Sequence, residues 1–177
     1  GVDGGLERSQ VGAEIGLVTA NEQAGKAVSE VHRNLQGLTD LAFTFAPEDL
    51  NAIRDFDCVF LALPHGQAME IAPRLPRAVK VIDLSGDFRL RDKDTFATHY
   101  GREHTAMEYQ SEFVYGLTET NREAIKNARL VANPGCFATA TLLGLAPLVA
   151  GNMISGRVIV DAKTGSSGSG RQLKETT

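Results

Sequence analysis

The sequence predicts an α/β fold with a doubly wound, mainly parallel sheet, and two observations carry that prediction. Short runs rich in Val, Ile and Leu recur without polar alternation, which is typical of strands covered on both faces. Segments of helical composition at 67–75 and 120–127 separate some of these runs, as in alternating strand-and-helix architectures. The apolar runs cover residues 15–19, 41–45, 58–63, 79–84, 129–132 and 158–162.

Composition excludes several classes of partner. The chain has 177 residues, a formal net charge of −4 and two cysteines. Nucleic-acid and anionic membrane surfaces attract basic runs, and this chain has none. No apolar run approaches the ~20 residues of a membrane span. Two cysteines in unlike settings do not suggest a disulfide framework. We therefore expect a cytoplasmic protein with free thiols, without a nucleic-acid or membrane partner and without a metal site.

The most informative stretch runs from residue 133 to 141 and contains Cys136. A Pro-Gly turn at Pro134 and Gly135 follows the apolar run 129–132 and precedes an apolar segment expected to be a core-facing helix over 136–149. The N-terminus of a helix favours an anion, and the thiolate is the nucleophilic form of cysteine. Most free cysteines are instead buried and structural, and that alternative stays open for Cys136. Cys58 lies inside an apolar run and is expected to be inert.

Small and polar residues follow five of the apolar runs. In open α/β sheets, ligands bind outside the carboxyl ends of the strands, so these five loops predict one site. The loops are 19–21, 64–66, 85–89, 133–136 and 163–168. Glycines at the N-terminus, including Gly1 and Gly4, resemble the end of a dinucleotide-binding turn. That signature requires a preceding strand, which this sequence lacks, so a flexible leader is an equal alternative. Both ends read as cut, and we expect a longer parent protein.

Five ordered motifs resemble the N-acetyl-gamma-glutamyl-phosphate reductase family, which is related to aspartate-semialdehyde dehydrogenase. The motifs are FLALPHG at 60–66, VIDLSGDFRL at 81–90, VYGLTETNR at 114–122, VANPGCFAT at 131–139 and DAKTGSSGSGR at 161–171. The likeness extends from about residue 14 to residue 177. It departs from the family at Gly86, where alanine is usual, and at Phe137, where tyrosine is usual.

The resemblance implies a Rossmann-like dinucleotide-binding domain over 1–132 and the start of an α+β catalytic domain over 133–177. It implies NADPH-dependent reductive dephosphorylation of an acyl phosphate in arginine biosynthesis, through a thioester on a cysteine. Cys136 matches the nucleophile. The cofactor that the resemblance implies is NADP, and the expected partners are the small-molecule substrate and further copies of the chain. The family's general acid/base is a histidine in a later GHRH motif, which is not in this chain.

The resemblance and the strand-end positions assign two further sets of residues. Arg89 and Asn133 would contact the substrate, with Arg89 near its phosphate, although Arg89 could equally be a surface residue paired with Asp87 or Asp92. The cofactor would contact Gly1, Gly4, Thr19, Pro64, His65, Gly66, Ser85, Gly165, Ser167 and Gly168.

Three other functions stay open at this point. A lysine-pathway acyl phosphate could replace the acetylglutamyl substrate. A cysteine hydrolase could use Cys136 with one of the histidines, and a non-catalytic binding module could retain the fold alone.

Overall fold

A computed structural model describes residues 12–165. Their contacts divide the chain into two compact units. The first contains the described residues up to Cys58 together with Arg74–Val79, and the second contains Val59–Pro73 and the described residues from Lys80 onward.

The first unit is built mainly from turns and one short helix, α1 (Val28–Val31). Two isolated bridges replace the strands predicted at 15–19 and 41–45. Thr19 pairs with Thr44 in a parallel bridge, and Ala27 pairs with Ala42 in an antiparallel one. Val28, Phe43 and Ile53 are buried. The two strand predictions are therefore wrong in this structure, because each segment pairs at single residues rather than along a ladder.

The second unit carries a four-stranded sheet in the order β1-β2-β4-β3. Its strands are β1 (Cys58–Leu61), β2 (Lys80–Asp83), β3 (Phe113–Tyr115) and β4 (Leu130–Ala132). The first residue of β1, Cys58, is counted with the first unit. Strands β2 and β3 both pair with β4 in parallel. Val81 and Leu130 are almost fully buried, as continuous apolar runs predict for strands covered on both faces. The predicted α/β class with a mainly parallel sheet is confirmed.

Helices connect and flank these strands. They are α2 (Ala68–Ile71), α3 (Lys93–Tyr100), α4 (Met107–Gln110), α5 (Thr118–Asn127) and α6 (Cys136–Ala150). Helix α3 begins where the Asp92 carboxylate accepts the N–H of Thr95 at 2.8 Å, and it ends at Gly101, whose φ is 64°. Aromatic rings pack together in this unit: Phe88 stacks on Phe113 with ring centroids 3.9 Å apart.

Two predictions for the C-terminal part are wrong. The run 158–162 forms no strand in the part of the chain that the structure describes, and Ile159 is 87% exposed. Helix α6 occupies the predicted position, but none of its described residues is buried. Apolar composition predicts burial only where another surface covers the residues, and the described residues leave α6 at most half-buried and Ile159 exposed.

Candidate active site

The carboxyl ends of β1, β2 and β4 lie side by side at one edge of the sheet. The Leu84 N–H, just after β2, donates to the carbonyl oxygen of Leu61 at 2.9 Å, and the Asn133 N–H, just after β4, donates to that of Asp83 at 2.8 Å. Three of the five predicted loops, 64–66, 85–89 and 133–136, therefore leave the sheet at the same edge. Such an edge is where ligands bind in open α/β sheets.

Cys136 is the first residue of α6 and is exposed, with its thiol outside any disulfide. Gly135 is the N-cap and has extended backbone, with φ −71° and ψ 158°. Its carbonyl oxygen accepts the N–H and the hydroxyl of Thr139 at 2.9 and 3.0 Å. The thiol therefore lies at the positive end of a four-turn helix, where free N–H groups stabilise negative charge.

Arg89 packs against the turn that precedes Cys136. Its Nε donates to the carbonyl oxygen of Asn133 at 2.7 Å, and its Nη2 donates to that of Leu84 at 2.9 Å. A Cβ added to Gly135 would lie 3.2 Å from Nη1. The surface pairing considered for Arg89 is wrong: among the described residues the Asp87 carboxylate accepts main-chain N–H groups, and the Asp92 carboxylate accepts from Thr95.

The loop after β1 is held in a conformation that requires glycine at residue 66. Gly66 has a φ of 97°, in the region that side chains rarely adopt, and its N–H donates to the Asp87 carboxylate at 2.8 Å. Nη1 of Arg102 donates to the His65 carbonyl oxygen at 2.6 Å and occupies the space that a Cβ on Gly66 would fill. Pro64 and His65 remain exposed.

One ring nitrogen of His65 is hydrogen-bonded to the loop after β2. Nδ1 accepts the Gly86 N–H at 3.0 Å, so in the neutral ring the proton lies on Nε2. The Tyr100 ring lies 5.0 Å from the imidazole. A Cβ on Gly86 would be 2.5 Å from the Tyr100 hydroxyl oxygen and 2.7 Å from Cε1 of His65. A side chain at residue 86 would therefore require the Tyr100 and His65 side chains to shift.

Two buried carboxylates that sequence reasoning did not assign shape the loop after β2. The Asp83 carboxylate accepts the N–H and the hydroxyl of Ser85, both at 2.9 Å, and the Ser85 Oγ accepts the Asp87 N–H at 3.1 Å. Burial raises the pKa of Asp83 despite the opposing hydrogen bonds from Ser85. The sequence signal was available: polar residues at 83, 85 and 87 end an otherwise apolar strand.

The remaining predicted site residues belong to other parts of the chain. Thr19 belongs to the first unit, where it pairs with Thr44. Gly165 is exposed and is the last described residue. Gly1, Gly4, Ser167 and Gly168 lie outside the described residues. Within residues 12–165, no cluster of His, Cys, Asp or Glu could hold a metal ion.

Two arginines contact the loops at this edge. Arg89 donates to the carbonyl oxygen of Asn133, and Arg102 donates to that of exposed His65. Guanidinium is the group that best recognises phosphate. Together the parallel sheet, its strand-end loops and the cysteine at a helix start define an α/β protein of the Rossmann-like class.

The chain belongs to the semialdehyde dehydrogenase family. Residues 5–128 match the family model described as "Semialdehyde dehydrogenase, NAD binding domain", and residues 136–177 match "Semialdehyde dehydrogenase, dimerisation domain". The boundary between the two matches lies close to residue 132, where we predict that one domain ends; that domain division itself stays a prediction.

Similar proteins carry the name that the five motifs predicted. The chain is 44% identical over 164 residues to the N-acetyl-gamma-glutamyl-phosphate reductase of Marinobacter nauticus, covering 92% of the chain and 47% of the relative. It is 48% identical over 161 residues to that of Pseudomonas fluorescens, covering 90% and 46%. It is 43% identical over 169 residues to that of Methanococcus maripaludis, covering 93% and 48%. The resemblance is confirmed, and the chain spans about half the length of the curated relatives it matches.

Membrane insertion has no support from the helices. Among residues 12–165, no helix combines the length and the apolar character needed to cross a bilayer.

Proposed function

We propose that this chain is the nucleophile-bearing part of an NADP-dependent acyl-phosphate reductase that converts N-acetyl-gamma-glutamyl phosphate to the semialdehyde in arginine biosynthesis. The single observation that carries the proposal is the place of Cys136, exposed at the start of α6 and following a strand of the parallel sheet. The names of the relatives support the substrate.

In the proposed reaction the Cys136 thiolate attacks the acyl carbon of the acyl phosphate. The carbon–sulfur bond forms, the carbon–oxygen bond to phosphate breaks, and inorganic phosphate leaves. The N–H groups at the start of α6 would stabilise the oxyanion that develops on the carbonyl oxygen. NADPH, when bound, supplies the hydride that reduces the thioester, after which the carbon–sulfur bond breaks and the thiolate is restored.

The substrate contacts are proposed for Arg89 and Asn133. Nη1 of Arg89 lies beside Gly135, one residue before the nucleophile, where the phosphate of an acyl phosphate attacked by Cys136 would approach. Asn133 is half-buried, and its side-chain amide donates to the Pro134 carbonyl oxygen at 3.1 Å. These contacts support a role for Asn133 in shaping the turn as well as in meeting the substrate.

The cofactor contacts are proposed for the loop at Pro64, His65 and Gly66, with Ser85 behind it. Ser85 is buried and its hydroxyl bonds to Asp83, so its contribution would be through the shape of the loop. Thr19 and Gly165 stay proposed contacts, as do Gly1, Gly4, Ser167 and Gly168 outside the described residues. A cytoplasmic location and assembly into homo-oligomers are proposed for the whole protein, the latter supported by the dimerisation-domain match.

The test uses the natural polypeptide that contains this sequence. NADPH oxidation is followed with N-acetyl-gamma-glutamyl phosphate, in the wild type, in Cys136→Ser and in Cys58→Ser as the matched control. Because a hydroxyl is scarcely ionised at neutral pH, Cys136→Ser should lose turnover while Cys58→Ser keeps it. Turnover in Cys136→Ser would overturn the proposal. Phosphate release without NADPH oxidation would indicate a hydrolase instead, and a preference for a lysine-pathway acyl phosphate would change the substrate.

A further inference from the structure

Arg89 connects two strand-end loops of the second unit through main-chain atoms. Its Nε bonds to the carbonyl oxygen of Asn133 after β4, and its Nη2 bonds to that of Leu84 after β2. Asn133 lies three residues before Cys136, so one guanidinium spans from the end of β2 to the turn that carries the thiol. A planar guanidinium can make both bonds from a single rigid group.

Gly135 supplies an independent observation about the same contact. Its φ of −71° and ψ of 158° are open to any residue, so backbone conformation does not require glycine there. A Cβ at this position would lie 3.2 Å from Nη1 of Arg89, closer than most side-chain contacts. The missing side chain therefore makes room for the guanidinium directly against the N-cap of α6.

We infer that Arg89 is a positioning residue that fixes the turn carrying Cys136, beyond any contact it makes with phosphate. The inference rests on the proposed role of Cys136 as nucleophile. A second hydrogen bond joins the two strand ends, from the Asn133 N–H to the carbonyl oxygen of Asp83. This bond lies where β4 ends, before the turn begins. The guanidinium bonds to the turn at Asn133 and occupies the space next to Gly135 that a side chain there would enter, so its loss should let the start of α6 shift and carry the thiol with it.

Arg89→Lys and Arg89→Met separate geometry from charge. Lysine keeps the positive charge, but its single nitrogen lacks the planar fork that bridges the two carbonyl oxygens. Gly135→Ala keeps the arginine and displaces it by a few tenths of an ångström, so it tests the same contact should Arg89→Met fail to fold. The controls are Arg91→Met, an exposed arginine two residues away, and Gly144→Ala, where a Cβ meets nothing within 4 Å.

Two readouts need no turnover and are made on this chain. The first is the rate at which iodoacetamide alkylates Cys136 as a function of pH, since displacement from the helix N-terminus reduces thiolate stabilisation. The second is hydrogen exchange of the Thr139 amide, which donates to the Gly135 carbonyl oxygen. Both arginine variants should slow alkylation and speed exchange, and Gly135→Ala should do so less. Neither control should slow alkylation or speed exchange, since alanine at residue 144 favours the helix.

Kinetics on the natural polypeptide complete the test. Misplacing a reacting group can cost about 10²-fold in rate, so both arginine variants should lose kcat for the acyl phosphate, while any rise in KM reports the separately proposed contact with the phosphate. The inference is overturned if Arg89→Lys alkylates and exchanges like the wild type, or if KM rises while alkylation and exchange stay unchanged. Turnover by Cys136→Ser would refute the proposed function instead, and the alkylation and exchange results would still decide the role of Arg89.

Discussion

The Asp87 carboxylate accepts the main-chain N–H of Gly66 with both oxygens, at 2.8 and 3.0 Å. The same carboxylate accepts the Met69 N–H at 3.2 Å, and Asp87 is fully buried. A buried carboxylate is costly unless its oxygens are hydrogen-bonded. Asp87 lies in the loop after β2, and its hydrogen bonds fix the conformation of the loop after β1. The conformation of the proposed cofactor loop therefore depends on a residue 21 positions further along the chain.

Asp87→Ala should destabilise the protein substantially. The substitution leaves the N–H groups of Gly66 and Met69 without their acceptor, and unsatisfied buried donors cost about 1–3 kcal/mol each. Because Gly66 is half-buried, its donor should cost the lower end of this range, and the free energy of unfolding in urea should fall by about 2–4 kcal/mol. Asp40→Ala, at an exposed position, is the matched control and should stay within about 0.5 kcal/mol of the wild type. Equal effects of the two substitutions would contradict this account of Asp87.

Gly66→Ala should cost more than Gly101→Ala, although both glycines have positive φ, 97° and 64°. Left-handed backbone costs a side-chain-bearing residue about 1–2 kcal/mol, and at Gly101 that is the whole cost because a Cβ there meets nothing within 4 Å. At Gly66 the Cβ must also displace the guanidinium of Arg102. Urea unfolding of both variants measures the difference.

A double-mutant cycle assigns that difference to its cause. In an Arg102→Ala background the extra cost of Gly66→Ala over Gly101→Ala should shrink to the part that follows from the larger φ of Gly66, because the overlapping group is gone. An extra cost that is unchanged in this background would show that Arg102 is not what excludes a side chain at residue 66.

The central strands could be predicted from sequence because they are continuous apolar runs, and β1, β2 and β4 lie within them. Strand β3 (Phe113–Tyr115) was missed because its last two residues begin the motif VYGLTETNR, which was interpreted by resemblance and not as a strand. The predicted strands at 15–19 and 158–162 failed for a different reason. An apolar run favours extended backbone, but a strand also needs a partner ladder, which a local pattern cannot reveal.

In the candidate site, too, features formed by neighbouring residues could be predicted, and contacts between distant residues could not. Cys136 and its helix could be predicted because the turn, the thiol and the helix are adjacent in sequence. The contacts that hold the neighbouring loops could not, because they join distant residues: Arg102 reaches the His65 carbonyl 37 positions away, and Arg89 reaches that of Asn133 44 positions away. Exposed or half-buried arginines give no sequence signal for such bonds.

The pH dependence of stability should contain a contribution from Asp83. Burial raises the pKa of this carboxyl in the folded chain, so the folded chain holds its proton more tightly than the unfolded chain does. Asp87 raises the pKa further and Arg89 opposes the shift. The free energy of unfolding should therefore lose this contribution as pH rises from the unfolded-state value of about 3.9 through the higher folded-state value.

Asp83→Asn isolates that contribution because the amide does not ionise. The free energy of unfolding is measured in urea at a series of pH values for both proteins. The wild-type value minus the variant value should decrease as pH increases from about 4 towards neutrality. Parallel curves over this range would mean that Asp83 has the same pKa in both states.

Iodoacetamide should label Cys136 well before Cys58 in the folded chain. Cys136 is exposed at the first residue of α6, whereas Cys58 is half-buried at the start of β1. Exposure and the positive end of a helix both favour reaction of a thiolate. Peptide mass mapping over a time course gives the order directly. In urea the helix and the strand are both lost, and the two thiols should then react at similar rates. Faster labelling of Cys58 in the folded protein would contradict the assignment of Cys136 as the reactive thiol.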